Sequence, residues 1–278
     1  VPLWQGESLS GRCILIWPEQ GVGDEIMFAS CLYDLKNSKA QIILACDIRL
    51  RDLFSRSFPF VKVVDKDPLN RYQKIESSLD YHCGIGSLPK FFRNNLDDFS
   101  RTSNYLEADQ LLLAKWTERY KRLKYSINIG VSWRGGVSDK ERIGKSLALS
   151  QWAPILNYPA NFINLQYGDH KQEVMAFKQD TGIHLYNWDD ADPLKDLDDF
   201  AAKIKALDFV VSISNTTVHF SGALGVKTFV LLPYNASWRW MEGRDESLWY
   251  PRVMRLLRQS KDGDWASAIH AVKVMMKE

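Results

Sequence analysis

The sequence predicts an α/β protein of two halves built alike, each a parallel sheet with helices packed on it. Three observations carry that prediction. Short apolar runs alternate with amphipathic helical stretches, and this alternation begins again near the middle of the chain. The 278 residues also exceed what one hydrophobic core usually organises.

In the first half, Cys13-Ile-Leu-Ile-Trp17 reads as a buried strand leading through a glycine turn into a helical run that ends at Leu35. Gln41-Ile-Ile-Leu-Ala45 is the next strand, a helix covers 49–54, and Val61-Lys-Val-Val64 is a third strand. Residues 65–98 are less regular, with Leu79-Asp-Tyr-His-Cys83 as a further strand. A charged helix over 109–122 closes this half, which gives a boundary near residue 125 and domains 1–125 and 126–278.

The pattern then restarts. Strands are expected at 128–132, 162–166, 182–186, 209–213 and 228–232, with helices at 149–156, 170–178 and 197–207 between them. The last helix, 264–277, is amphipathic and is placed in the second half or packed back onto the first. Two Rossmann-like halves facing across a cleft would hold a ligand there, beyond the carboxyl ends of the strands.

Composition narrows the function classes. A hydrophobic share of 45% with 25% charged residues is that of a soluble globular protein. The net charge of +2, with Lys and Arg spread along the chain, gives no basic face for nucleic acid. No apolar run is long enough to span a membrane, and no secretory leader is seen. Cys13, Cys31, Cys46 and Cys83 form no CxxC, and Cys13 and Cys46, in or beside apolar strand-like runs, read as buried free thiols of a reducing compartment, which points to the cytoplasm. Val1 in place of a methionine suggests a processed start or, preferably, a domain of a longer protein.

The richest stretch is Phe209-Val-Val-Ser-Ile-Ser-Asn-Thr-Thr-Val-His-Phe-Ser-Gly-Ala-Leu-Gly225. It reads as a buried strand, a turn of hydroxyl and amide residues, and a helix closed by Gly225. Ser214, Asn215, Thr216 and Thr217 fall where the strand hands over to the helix, and His219 follows on the first turn. Free N–H groups and the positive helix end make such a place an anion site. Ordinary capping is the plainer account, but four consecutive cap residues and a His exceed what one cap needs.

A second group lies after the strand at 128–132. Ser132-Trp-Arg-Gly-Gly136 and Lys140-Glu-Arg-Ile-Gly-Lys-Ser146 bring Trp133, Arg134, Gly135, Arg142, Lys145 and Ser146 near that helix start. Gln166 ends the following strand. Together they suit a diphosphate held by N–H groups and cations, although the P-loop spacing is missing. In the first half, the loop Glu19-Gln-Gly-Val-Gly-Asp24 supplies Gln20, Gly21 and Gly23 on the acceptor side. Asp24 sits at a helix start, either as a cap or as a general base.

Metal binding is not expected. The histidines at 82, 170, 184, 219 and 270 lack ligand spacing, and Asp65-Lys-Asp67 and Asp190-Ala-Asp192 lead into polar loops. No GxSxG points to acyl chemistry.

Several pieces occur together in this order in one group of proteins. They are Pro2-Leu-Trp-Gln-Gly-Glu7, Trp17-Pro-Glu-Gln-Gly-Val-Gly-Asp24, Gly130-Val-Ser-Trp-Arg-Gly-Gly136, the run 214–225, Leu231-Leu-Pro233, Trp238-Arg-Trp240 and Trp249-Tyr-Pro251. Over nearly its whole length the chain resembles the glycosyltransferase domains that follow tetratricopeptide repeats in bacterial proteins. It is also similar to the ADP-heptose:lipopolysaccharide heptosyltransferases of glycosyltransferase family 9 and, more distantly, to protein O-GlcNAc transferases.

The resemblance implies a GT-B fold, two Rossmann-like domains with parallel sheets facing across a cleft. The nucleotide-sugar donor would sit on the second domain and a glycan or protein acceptor on the first. Transfer would be inverting, with no cofactor and no obligatory metal. The family's base matches Asp24, its phosphate-facing cation matches Lys145, and its helix-start Asp-Thr…His element matches Ser214-Asn215-Thr216…His219, with Ser in place of Asp. Two other readings are a silent sugar-nucleotide-binding domain serving a tetratricopeptide-repeat region and a GT-B-fold epimerase using Glu19 and His82.

Overall fold

The computed structural model describes residues 1–66, 78–101, 104–135 and 146–277. They form two compact units, Val1–Glu107 and Ala108–Glu278. The division falls before the expected boundary near 125, because the helix expected to close the first half belongs to the second unit.

The first unit holds β1 (Cys13–Trp17), α1 (Val22–Ala29), α2 (Leu32–Leu35), β2 (Gln41–Cys46), α3 (Arg51–Ser57), β3 (Val61–Asp65), β4 (Tyr81–Gly84) and α4 (Pro89–Phe92). Its four strands are all parallel, in the order β3-β2-β1-β4. Both faces of β1 are covered: Ile14 and Ile16 are buried on one side, Cys13 and Leu15 on the other. A continuous apolar run is what a doubly covered parallel strand requires. The helical run expected through Leu35 is two helices. It breaks after Ala29, where Ser30 Oγ turns back to donate to the Met27 carbonyl at 2.9 Å.

The second unit begins with α5 (Gln110–Lys121), started by Asp109, whose carboxylate accepts from the N–H groups of Leu111 and Leu112. Then come β5 (Asn128–Ser132), α6 (Ala153–Leu156), β6 (Asn161–Asn164), α7 (Lys171–Thr181), β7 (Leu185–Tyr186) and α8 (Leu197–Lys205). The unit ends with β8 (Phe209–Ile213), α9 (Thr216–Ala223), β9 (Thr228–Leu232), β10 (Met254–Arg258) and α10 (Ala266–Met275). Its six strands are parallel, in the order β10-β9-β8-β5-β6-β7.

Trp116 and Tyr120, one turn apart on α5, explain where the chain divides. Trp116 Nε1 donates to Asp199 and Tyr120 OH donates to the Lys203 carbonyl, so both tie α5 to α8. The strand expected at 182–186 shrinks to two residues, because Gly182, at φ 73°, ends α7 instead. The terminal helix α10 packs on α6, β9 and β10 of its own unit. All four cysteines are buried and free, and burial pushes the Cys31 thiol up to about 12. Among the described residues no helix is long and apolar enough to cross a membrane.

Candidate functional site

In the second unit the chain winds outward from β5 through β6 to β7, then returns to lay β8 on the other side of β5. The loops after β5 and β8 therefore leave in opposite directions, which opens a crevice at the carboxyl ends of these two strands.

Two buried amides fix the crevice walls. Gln166 Oε1 accepts from Ser132 Oγ (3.2 Å), Trp133 N (3.0 Å) and Arg134 N (2.8 Å), while its Nε2 donates to the carbonyls of Arg134 and Tyr167. Asn215 caps α9 by accepting from Thr217 N at 3.0 Å, and its Nδ2 donates to Ser132 Oγ (2.7 Å) and the Arg134 carbonyl (3.1 Å). A side chain on Gly135 would come within 3.2 Å of the Ser214 carbonyl, so the two loops touch there. Ser146 Oγ accepts from Gly135 N at 3.2 Å.

His219, on the first turn of α9, is buried beneath this cap. Its Nδ1 lies 3.0 Å from Tyr250 OH, and its ring stacks on Trp240 with centroids 5.7 Å apart. Burial drives its pKa down to about 3, and the charge of Arg239 adds to the effect, so the imidazole is neutral at pH 7. A Cβ on Gly222 would stand 2.4 Å from the Tyr250 ring, so glycine one turn along α9 is what admits the tyrosine. Trp240 Nε1 donates to Ser214 Oγ at 2.8 Å. An indole only donates, so Ser214 accepts there and keeps its own proton to give elsewhere. Among the described residues, Thr217 Oγ1 is buried with no hydrogen-bond partner. Side chains on a helix lean toward its N-terminus, which places this hydroxyl at the α9 start.

The predicted donor residues thus divide by what they do. Trp133, Gln166, Asn215 and His219 are buried and bonded within the protein, Trp133 through Nε1 to Glu173 Oε2 at 3.0 Å. Gly135, also buried, joins the two loops. Arg134, Ser146, Ser214 and Thr216 keep partly exposed surface. Arg134 Nε lies 3.5 Å from Glu173, and its Nη2 donates to the Asp169 carbonyl. Lys145, with Gly136, Lys140 and Arg142, lies outside the described residues.

Beside Gln166, a cavity of about 490 Å³ opens past the ends of β6 and β7. Asn164, His170, Asn187, Trp188 and Lys203 are among the residues lining it. Lys203 Nζ donates to the Asn164 carbonyl at 2.8 Å, and burial lowers its pKa to about 8. Sequence reasoning missed this lysine, because a Lys in a helix reads as a solvated face. It also missed Glu173 and Tyr250, and it treated Trp240 only as packing.

In the first unit the strand order reverses between β1 and β4, and the Glu19 to Asp24 loop leaves from there. Gly21 is the cap residue of α1, and Gly23 and Asp24 lie in its first turn, so Asp24 is not itself the cap. Gln20 and Gly21 are exposed and Asp24 partly so. Glu19 accepts from Gly86 N at 2.9 Å. A Cβ on Gly84 would lie 2.4 Å from the Glu19 carboxylate, so glycine there is what admits the acid. Trp17 Nε1 donates to His82 Nδ1 at 3.1 Å, which leaves that nitrogen unprotonated. Both side chains that an epimerase would need are therefore engaged in local bonds.

Among the described residues no group of three or more His, Cys, Asp or Glu could hold a metal ion. Asp190 forms a two-bond ion pair with Arg119, and Asp192 accepts from Leu194 N at 2.9 Å. Asp65 lies 3.5 Å from Arg51. Asp67 lies outside the described residues.

No family model matches the chain. Protein FlbA of Caulobacter vibrioides is 30% identical over 99% of this chain, and the chain spans about half (48%) of that protein's length. Among solved structures, a glycosyl transferase family 9 protein from Veillonella parvula superposes with a TM-score of 0.67, covering 98% of each chain at 10% identity. The ADP-heptose lps heptosyltransferase II of E. coli gives 0.62 over 95% of this chain and 99% of its own, at 11% identity. The fold is the GT-B fold. It is the fold class the resemblance implied, with a parallel sheet in each unit.

Proposed function

We propose that this chain is a glycosyltransferase that moves a sugar from a nucleotide-sugar donor to a hydroxyl of a glycan or protein acceptor. The observation that carries the reading is the α9 start. It combines the positive end of the α9 dipole, the Ser214 hydroxyl and the buried, unpartnered Thr217 hydroxyl at the strand-order reversal. An anionic diphosphate satisfies all three. The cavity at Gln166 and Lys203 is of a size for the nucleoside, and it shares Gln166 with the loop that walls the crevice.

The chemistry needs charge stabilisation on the departing diphosphate and a base for the acceptor. Oriented N–H and O–H donors supply the first, with Arg134 and Lys145 as candidate cations. Ser214 stands where the heptosyltransferases carry an Asp, which replaces a carboxylate by a neutral donor. The glycosyl bond to phosphate oxygen breaks as the acceptor oxygen bonds to the anomeric carbon from the opposite face. The acceptor proton passes to Asp24 and the electron pair stays on the diphosphate. This is inverting transfer, and it asks for no cofactor. We place the activity in the cytoplasm of a bacterium, in a protein whose remainder carries tetratricopeptide repeats.

Radiolabelled UDP-, ADP- and GDP-sugars incubated with the protein and candidate acceptors test this. The expected result is transfer from one donor, lowered by about 10²–10⁴ in Asp24→Asn with donor affinity kept. Binding without transfer or donor hydrolysis marks a silent binding domain. No binding of any of them contradicts the reading.

A further inference from the structure

The short helical turn Trp238–Trp240 is fastened to the α9 start. Trp240 is buried, with Nε1 on Ser214 Oγ at 2.8 Å and its ring on His219. The Arg258 guanidinium grips the other end of the turn, donating to the Trp240 carbonyl at 2.7 Å and to that of Met241. Met241 itself adopts φ 46°, which turns the chain away. A turn held at both ends fixes the direction of everything it carries.

On this turn Trp238 is 56% exposed. A tryptophan left that open gives up much of the apolar burial it could gain in a core. The Arg239 guanidinium lies 4.8 Å from the centre of the Trp238 ring, and its Nη1 is 3.2 Å from Ser237 Oγ. The same charge reaches His219, one helical turn from the diphosphate donors. The turn thus carries a cation and a largely exposed indole, and through Trp240 it is fastened to the helix start where Thr217 keeps a buried hydroxyl unpartnered among the described residues.

We propose that residues 237–240 form part of the donor site: Arg239 pairs with the diphosphate at the α9 start, and the exposed face of Trp238 carries the donor's sugar ring. The inference rests on the nucleotide-sugar reading above and adds to it a phosphate cation and a sugar platform. A guanidinium suits this place because it offers two parallel N–H donors to a phosphate while stacking flat on an indole. The indole face is negative and attracts the polarised C–H bonds on one face of a pyranose. Arg239 precedes Trp240, whose indole bonds Ser214, so the backbone that carries the cation is held beside the helix start.

Calorimetric titration of the whole chain with UDP, ADP, GDP, UDP-glucose, ADP-glucose and GDP-mannose tests it. Arg239→Gln should weaken the bound nucleoside diphosphate by about tenfold or more, as for a lost hydrogen bond to a charged group. Arg239→Lys should restore part of that loss. Trp238→Ala should leave the diphosphate unchanged and weaken its sugar ester by about two- to tenfold, the range of an aromatic contact. If Arg239→Gln unfolds, Arg239→Lys and Trp238→Ala decide alone. Diphosphate affinity within twofold in Arg239→Gln, while Thr217→Val weakens it, overturns this inference and leaves the site reading standing. Equal losses for diphosphate and sugar ester in Trp238→Ala overturn the platform. If no nucleoside diphosphate binds the parent protein, both readings fall.

Discussion

The indole of Trp240 lies nearly parallel to the imidazole of His219, their planes 16° apart, while Tyr250 OH stands 3.0 Å from His219 Nδ1. A neutral histidine is thereby sandwiched under the helix start that the proposed diphosphate occupies. Its neutrality comes first from burial, and it makes His219 a pillar of the site.

Acidification should expose that pillar. Below pH 6.5 the unfolded chain protonates His219, but the folded chain does so only near 3. Unfolded protein then binds more protons, so the stability His219 contributes is complete above pH 6.5 and declines through the window down to about 3. His219→Asn should be less stable than the parent at pH 7 by about 1–3 kcal/mol, for a broken buried hydrogen bond. The gap should narrow between pH 6.5 and 4 in urea titrations. A constant gap would show that His219 is protonated in the fold.

Gly222→Ala should destabilise by about 1–3 kcal/mol, because the new methyl enters the Tyr250 ring and overpacks the core. Thermal melts of Gly222→Ala, Tyr250→Phe and the double variant check it. The account expects Tyr250→Phe to leave the glycine effect in place, since the clash is with the ring and not the hydroxyl. Relief of the clash in the double variant would contradict that.

Lys203 makes a titration of the same sign visible at high pH. Its folded pKa near 8 lies below the ordinary 10.5, so between these values the unfolded chain holds a proton that the folded chain has lost. Stability from this group is therefore complete above pH 10.5 and is lost as pH falls through 8. The parent should gain stability relative to Lys203→Met as pH rises from 8 to 10. A parallel pair of curves would mean that the amine is solvated. The same variant should weaken nucleoside binding if the cavity beside Gln166 takes the nucleoside.

Much of this was legible in the sequence because parallel strands covered on both faces announce themselves as apolar runs, as in β1, β8 and β9. β10 escaped notice because its edge position leaves Arg255 exposed and interrupts the run. The two compact units divide ahead of the expected boundary because nothing local tells that Trp116 and Tyr120 will bond to α8. At the site, cap chemistry pointed to Ser214, Asn215 and Thr217. Which of them is consumed internally depended on Ser132 and Trp240, distant in sequence and joined only by the sheet. Asn215 and Gln166 spend their hydrogen bonds on the loops, while Thr217 keeps one unspent.

That hydroxyl gives the most direct test. Thr217→Val keeps the shape and removes one buried oxygen that has no partner in the free protein. Valine leaves nothing unsatisfied, so the melting temperature should stay the same or rise. Affinity for the nucleoside diphosphate that binds the parent should fall by about tenfold or more, measured by calorimetry, because the bound anion loses its donor. Unchanged affinity with unchanged or raised stability would contradict the placement of the diphosphate at the α9 start.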